Sequence, residues 1–393
     1  VLFKGFSRNV FLLGMTSFLN DVATEMMYPL LPLFLTSKLG AAPAIIGVIE
    51  GIAESTASLL KVVGGYWSDR VGARKPFAFF GYATAPLSRI ILYLAVSWPL
   101  VLVSRVLDRI GKGIRTAPRD ALIADSTIPE ARGAAFGFHR ALDTAGAAVG
   151  VVIAYLFLTA DQNDYANVFL WSIAPALLGT LVLLGVKEQR ATPKPALASA
   201  QPLLLSPARM VAAWRTLPRK LKAFLLIALV FTLGNSSNQF LLLRADHLGL
   251  TPSLVILAYL LFNVVYAALS YPFGRLSDRI GRKTLLVIGY LFYSGVYLGF
   301  ALIGDVAWIW SLFAAYGFYI ALTEGVEKAL VSDIAPPDLR ATLIGLHATM
   351  LGIGLLPASA LAGWLWGAFG APAPFYFGGA MGLLAALGLW LLI

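Results

Sequence analysis

The chain of 393 residues has no cysteine and only three histidines, and only 13% of it is charged. The missing thiols exclude disulfides, thiolate metal sites and cysteine nucleophiles, and they say nothing about compartment. Soluble domains hold roughly 25% Asp, Glu, Lys and Arg, so the scarcity of charge excludes an ordinary soluble domain. No Walker-type phosphate loop occurs, which argues against drive by ATP. His139, His247 and His347 lie in no nucleophile motif, so an intramembrane hydrolase or transferase finds no base beside a nucleophile.

What the chain has in abundance is apolar sequence, 59% of all residues, together with 37 glycines. Apolar runs of about 20 residues, long enough to cross a bilayer, fall near 9–36, 43–67, 76–96, 98–117, 131–159 and 165–186. They resume near 221–245, 252–274, 284–303, 306–330, 341–368 and 373–393. The expected fold is therefore an all-α polytopic membrane protein with twelve transmembrane helices in two pseudo-symmetric six-helix bundles, 1–186 and 223–393. Residues 187–222, rich in Pro, Ala and basic side chains, read as a linker that includes a short amphipathic helix on the membrane surface. The opening stretch lacks a small-residue cleavage pattern and reads as the first span rather than a signal peptide.

Basic residues set the orientation. Lys4, Arg8, Arg70, Arg74, Lys75, Arg119, Arg132, Arg275, Arg279, Arg282, Lys283 and Arg340 collect on one side with the linker, against Lys38 and Arg244 on the other. Both termini are expected in the cytoplasm of a cell whose inner (plasma) membrane holds the protein. The formal charge of +10 is read as this topological bias, so the partners expected are the lipid bilayer and a small-molecule substrate, with no nucleic acid, and the protein is expected to be a monomer.

The halves repeat. "GGYWSDRVGARKPFAFFGY" (Gly64 to Tyr82) matches "PFGRLSDRIGRKTLLVIGY" (Pro272 to Tyr290), in each case after the second span of its set. Asp125, Pro129, Arg132, Gly137 and His139 recur as Asp333, Pro337, Arg340, Gly345 and His347, at a constant offset of 208. Two same-orientation repeats imply bundles related by an axis along the membrane normal.

At these residues the chain resembles a transporter of the major facilitator superfamily, over essentially its whole length. The family pattern Gly-x-x-x-Asp-Arg-x-Gly-Arg-Lys reads here as Gly65, Asp69, Arg70, Gly72, Arg74 and Lys75, one residue longer at its end. The second copy, Gly274, Asp278, Arg279, Gly281, Arg282 and Lys283, fits without insertion. The resemblance implies a cytoplasmic gate in which the aspartate caps a helix of the opposite half. The motif arginine would pair with a carboxylate at the end of the fourth helix, for which Asp120 is the candidate. Two departures stand out. The fourth-helix Arg-x-x-x-Gly-x-Gly spacing of proton-coupled members is out of register, with Gly111 and Gly113 after Arg105. The fifth-helix antiporter motif survives only as Gly146 and Gly150, without its proline.

The remaining charges lie inside spans. Arg105, Asp108, Arg109 and Lys112 fall at i, i+3, i+4 and i+7, one stripe of the fourth helix. An ion at the bilayer centre costs about 2.5–3.5 kcal/mol on insertion scales, so this stripe needs a wet interior or matching charges. The same half supplies Asp21, Glu25, Glu50, Glu54 and Asp143 as acids and Lys61, Arg89 and Arg140 as further bases. Two readings stay open: an ion-pair network that fixes packing, and a site where carboxylates exchange protons as their pairing changes. On the second reading Asp21, Glu25, Glu50, Glu54, Asp108 and Asp143 couple protons, with Glu54 and Asp21 foremost. Arg89, Arg105, Arg109, Lys112 and Arg140 then bind substrate with Asn235, Asn238 and Asn263 of the second half, where neutral amides replace carboxylates. Glu324, Glu327 and Lys328 are expected to pair near a helix end.

The function expected is proton-coupled secondary transport by alternating access of a small charged solute, anionic or zwitterionic, or an amphipathic one, as efflux antiport. Uptake symport of an organic anion is the rival; a divalent-metal exporter and a non-transporting receptor are weaker. No cofactor and no resident metal are expected, protons being the coupling ion.

Overall fold

A computed structural model of the chain describes residues 7–127, 132–162, 164–188, 217–334 and 340–393. Among the described residues every regular element is helical. The first half contains α1 (Arg8–Met27), α2 (Leu31–Ser37), α3 (Pro43–Val71), α4 (Lys75–Tyr93), α5 (Trp98–Asp125), α6 (Arg132–Ala160) and α7 (Tyr165–Leu183). The second contains α8 (Arg219–Gly234), α9 (Gln239–His247), α10 (Pro252–Ile280), α11 (Arg282–Leu302), α12 (Ile309–Ile334), α13 (Arg340–Phe369) and α14 (Ala373–Leu392). The first span is thus α1 joined to α2 by a 3₁₀ turn at Tyr28–Leu30, where Pro29 and Pro32 cannot donate to a continuous ladder. The seventh span is α8 and α9, broken at 235–238 where Asn, Ser, Ser and Asn offer the backbone side-chain alternatives to the helix.

Helix starts follow local chemistry. The Ser7 hydroxyl accepts from Val10 N at 3.4 Å, and the Asp164 carboxylate accepts from Asn167 N at 3.2 Å. Prolines open α3 and α10 at their first residues. Gly72 (φ 67°) and Gly281 (φ 91°), the repeat-related motif glycines, make the turns after α3 and α10 in the left-handed region that other residues enter at a cost.

Among the described residues, eight helices are long and apolar enough to cross a membrane, by length and composition. They include all six spans of the second half, and α6 and α7 of the first. The four others, α1 with α2, α3, α4 and α5, carry most of the ionic residues of the first half.

The chain forms two compact units, Val1–Leu31 with Thr56–Met210, and Pro32–Ser55 with Val211–Ile393. This differs from the sequence division at 186 and 223 in one segment: 32–55 groups with the second unit. The reason lies in small residues. A Cβ on Gly51 would stand 2.8 Å from Leu356 Cα, one on Gly363 2.5 Å from Ala44 Cα, and Ser55 Oγ donates to Gly352 O at 2.9 Å. The rest of α3 packs in unit 1, where a Cβ on Gly64 would lie 2.7 Å from Ile114 O of α5.

In unit 1, Val10, Leu13, Ala78, Tyr82, Leu122, Ile123, Ala135 and Leu183 form an apolar core from α1, α4, α5, α6 and α7. Unit 2 is built on stacked aromatics: Phe231 lies 4.1 Å from Tyr290, and Tyr293 4.1 Å from Tyr297, ring centre to ring centre. Their hydroxyls bond inward, Tyr293 to Gly234 O at 2.9 Å and Tyr316 to Asn238 Oδ1 at 2.8 Å.

Candidate functional site: an ion cluster in the first unit

Close helix packing builds the site. On α4, a Cβ at Gly81 would fall 2.7 Å from Gly111 O of α5, so the two backbones touch. Gly111, half of the out-of-register glycine pair, is therefore a packing residue. That approach brings Arg89 of α4 beside Asp108 of α5 in an ion pair whose members are 0% and 2% exposed. Arg89 is locked further: Nη1 donates to Ser88 Oγ at 2.7 Å and to Ala85 O at 3.3 Å, and Nη2 donates to Thr24 Oγ1 of α1 at 2.8 Å. The second carboxylate oxygen of Asp108 faces Arg109 at 3.6 Å and Arg105 at 3.8 Å. One carboxylate is shared by three buried guanidinium groups. Arg105 also lies over the Tyr28 ring at 5.3 Å and Arg115 over Tyr82 at 4.4 Å, cation–π contacts that offset part of the cost of burying them.

A second group of ions joins α1 to α6. Gly146 and Gly150 take the backbone of Phe18 and Val22 against them, and the same face of α6 carries Asp143. Asp21 of α1 has Asp143 and Glu25 as acidic neighbours and Arg115 and Lys112 as basic ones. His139 Nδ1 stands 3.6 Å from Asp143 Oδ2. The fifth-helix glycines thus place two carboxylates, from α1 and α6, in one group.

Of the other expected site residues, several stand elsewhere. Arg140 is exposed on α6, next to buried His139. Buried Glu50 and half-buried Glu54 sit on the part of α3 that belongs to unit 2. Asn263 donates to Tyr259 O of its own helix at 2.9 Å, and Asn235 donates to Tyr319 OH at 3.2 Å. Asp120 pairs with its neighbour Arg119 at 2.9 Å, while Arg70 donates to Tyr66 OH at 3.1 Å. The carboxylate reached from the α3–α4 motif is Asp125, bound by Arg74. Its repeat counterpart is Arg282 with Asp333 at 3.0 Å. The expected pairing is displaced from Arg70 of α3 to Arg74 beyond the Gly72 turn, and from Asp120 to Asp125 along α5. The expectations for Asp69, Gly274 and Asp278, with Gly137, Gly345 and most of the linker, rest on side chains or segments outside what the structure describes. Gly65 is half-buried, where a Cβ would stand 3.1 Å from Ala117 Cβ of α5, and Arg279 is exposed.

Sequence reading missed one anchor at this rim. Glu188, just past α7, accepts the backbone N–H groups of Arg74 and Lys75, the latter at 3.0 Å, and so caps α4. Lys75 Nζ answers by donating to Leu184 O and Val186 O at 2.9 and 2.7 Å. Only its place 114 residues from Arg74 hid it.

A family model described as Major Facilitator Superfamily matches residues 13–321 and 223–393. The chain belongs to the major facilitator superfamily. It is 40% identical over 391 residues to an uncharacterized MFS-type transporter of Methanocaldococcus jannaschii, covering 97% of this chain and 94% of that one. More distantly, it is 24% identical over 347 residues to the multidrug resistance protein MdtH of Photorhabdus laumondii, covering 86% and 82%. Among solved structures, the nucleoside transporter NupG superposes with a TM-score of 0.84 at 13% identity, covering 98% of this chain and all of that one. A D-xylose-proton symporter gives 0.72 at 18% identity, with 98% and 97% covered. The chain is a multi-pass membrane protein and a transporter of the major facilitator type rather than an enzyme.

Proposed function

We propose that this transporter is proton-coupled and moves a small anionic or zwitterionic solute, or an amphipathic one, outward by antiport, through alternating access of its two bundles. The observation that carries this reading is the sharing of Asp108 among Arg89, Arg105 and Arg109. Buried like charges repel one another strongly where water is scarce, so a negatively charged group entering beside them relieves that repulsion. Arg89 is committed to holding α1, α4 and α5 together. Arg105, Arg109 and Lys112 are the ligand-binding bases on the same helix face.

The group formed by Asp21, Glu25, Asp143 and His139 supports coupling. Carboxylates that close share protons as a set, and the set binds more or fewer as the surrounding cations are engaged by a ligand. An anion drawing Arg115 and Lys112 away from Asp21 favours proton uptake there, the linkage of the rival symport; the positive group of a zwitterion or amphipathic cation on these carboxylates displaces a proton instead, the exchange that antiport needs. The name of the MdtH relative supports the outward direction. In this reading the protein is an inner-membrane monomer with both termini cytoplasmic, using no cofactor beyond the proton.

The test is purified protein in a thermal-shift screen against organic anions, zwitterions and amphipathic cations at two pH values, since a ligand of the folded state raises its melting temperature. Anions or zwitterions should stabilise the protein, and Arg109→Ala should remove that gain. In proteoliposomes Asp21→Asn and Glu54→Gln should transport without responding to pH. Stabilisation by cations alone, or full pH response in both variants, overturns the reading.

A further inference from the structure

The repeat offset of 208 relates Tyr82 to Tyr290, His139 to His347, and the dipeptide Arg119-Asp120 to Glu327-Lys328. Tyrosine and histidine are kept; the charges between them are reversed. In unit 1 the position holds Arg119, paired with Asp120 and donating to Ser17 Oγ at 3.3 Å. In unit 2 it holds a carboxylate that the sequence reading had placed with Glu324 and Lys328. Those two do pair, at 3.5 Å, on the exposed side of α12. Glu327 turns the other way and is 9% exposed. The Tyr290 hydroxyl of α11 donates to its Oε1 at 3.0 Å. Its Oε2 lies 3.8 Å from Nε2 of His347 on α13, a residue 2% exposed. Neither ring nitrogen of His347 has a hydrogen-bond partner among the described residues, and Phe224 of α8 stacks on the ring at 5.7 Å.

We propose that Glu327 and His347 together bind a single proton, forming a second proton-binding centre that lies in the carboxy-terminal unit. Tyr290 has one hydroxyl proton, and it is already donated to Oε1. The neutral imidazole carries one N–H, and with that hydrogen on Nε2 it faces Oε2 at 3.8 Å, but the buried pair then keeps a charge of −1 and Nδ1 has nothing to accept. One proton taken from water, onto Nδ1 or Oε2, changes the charge of the pair from −1 to zero. Burial disfavours the charged state, and the proton belongs to the pair rather than to either residue.

The surroundings leave this pair to set its own state. On α12, Glu324 and Lys328 neutralise one another, and Glu324 also accepts from Tyr266 of α10. Tyr319 of α12 accepts from Asn235, and Tyr293 of α11 donates to Gly234 O. Arg282 of α11 is held by Asp333. From α8 the contact is Phe224, the bases Arg219, Lys220 and Lys222 lying in its first turn. From α13 it is His347 itself. This centre extends the coupling reading above, and only its use in transport rests on it.

With three histidines in the chain, ¹⁵N-imidazole NMR of the full-length protein in nanodiscs, without substrate or gradient, resolves His347 by comparison with His347→Gln. The His347 signal should change with pH. Glu327→Gln should abolish that change or displace its midpoint by at least about tenfold in proton affinity, and Tyr290→Phe should displace it while keeping it. Asp21→Asn should leave it in place, so failure of the unit 1 coupling residues is read separately, in transport. A pH-independent His347, or the same midpoint in Glu327→Gln, overturns the proposal. Where Glu327→Gln yields no monodisperse protein, an unmoved midpoint in Tyr290→Phe does so.

Discussion

Asp108→Asn keeps the volume of the side chain and removes its charge. The amide oxygen still accepts one hydrogen bond from Arg89, but the carboxylate charge shared by Arg89, Arg105 and Arg109 is gone. Removing one partner of a buried ion pair costs about 3–5 kcal/mol, and two further cations at 3.6 and 3.8 Å place this case at the upper end. For a unit of this size each kcal/mol lowers the melting temperature by about 2–4 °C, so a fall on the order of 10–20 °C is expected in detergent, read by intrinsic tryptophan fluorescence. Adding Arg89→Gln removes one of the stranded guanidinium groups, and the pair should show a coupling energy of about 1–3 kcal/mol in a double-mutant cycle. A small organic anion at saturating concentration should raise the melting temperature of Asp108→Asn more than that of the wild type, because it replaces the missing charge. An Asp108→Asn protein within about 1 kcal/mol of wild type, indifferent to anions, refutes the claim that these four residues form one electrostatic unit.

Two further substitutions separate packing from charge. Gly81→Ala drives a Cβ toward Gly111 O, a backbone atom that cannot rotate away; it should cost about 1–3 kcal/mol and, by parting α4 from α5, weaken ligand stabilisation, whereas unchanged stability would show that the helices do not touch there. Glu188→Ala uncaps α4 at Arg74 and Lys75; a loss of about 0.5–2 kcal/mol, with faster amide exchange confined to the first turn of α4, is expected, and uniform exchange along the helix would contradict the capping role.

How much of this was legible in the residues follows from the range of each interaction. The twelve spans, the repeat and the motif turns are local signals: apolar runs, a fixed offset, and Gly72 and Gly281 where φ is positive. The stripe on α5 was legible for the same reason, because i, i+3 and i+4 spacing defines a helix face without reference to any neighbour. Which acid meets which base was not legible. Arg70 and Arg74 stand four residues apart on either side of the Gly72 turn, and Asp120 and Asp125 five apart on α5, and spacing alone cannot choose the outer pair, Arg74 with Asp125, over the inner one. Helix rotation decides, and it is set by glycines such as Gly64, whose missing side chains carry no pattern of their own.

The reversal of charge at Arg119-Asp120 and Glu327-Lys328 shows why the halves must be compared rather than read singly. By itself Glu327 is one acid three residues from another and next to a lysine, the pattern of an exposed ion pair. Set against Tyr82, Arg119 and His139, it becomes the one altered member of a retained trio, and its environment explains the alteration. Unit 1 concentrates cations around Asp108 and answers them with acids from α1 and α6. Unit 2 gives the Glu327 carboxylate a tyrosine hydroxyl, which donates a hydrogen bond without adding charge, and the His347 imidazole. A protein whose two bundles were interchangeable would gain nothing from treating the same position so differently. On the proposed function that asymmetry has a use: the cations of unit 1 engage a charged solute beside their own acids, and the Glu327–His347 pair of unit 2 adds a second centre that answers to protons.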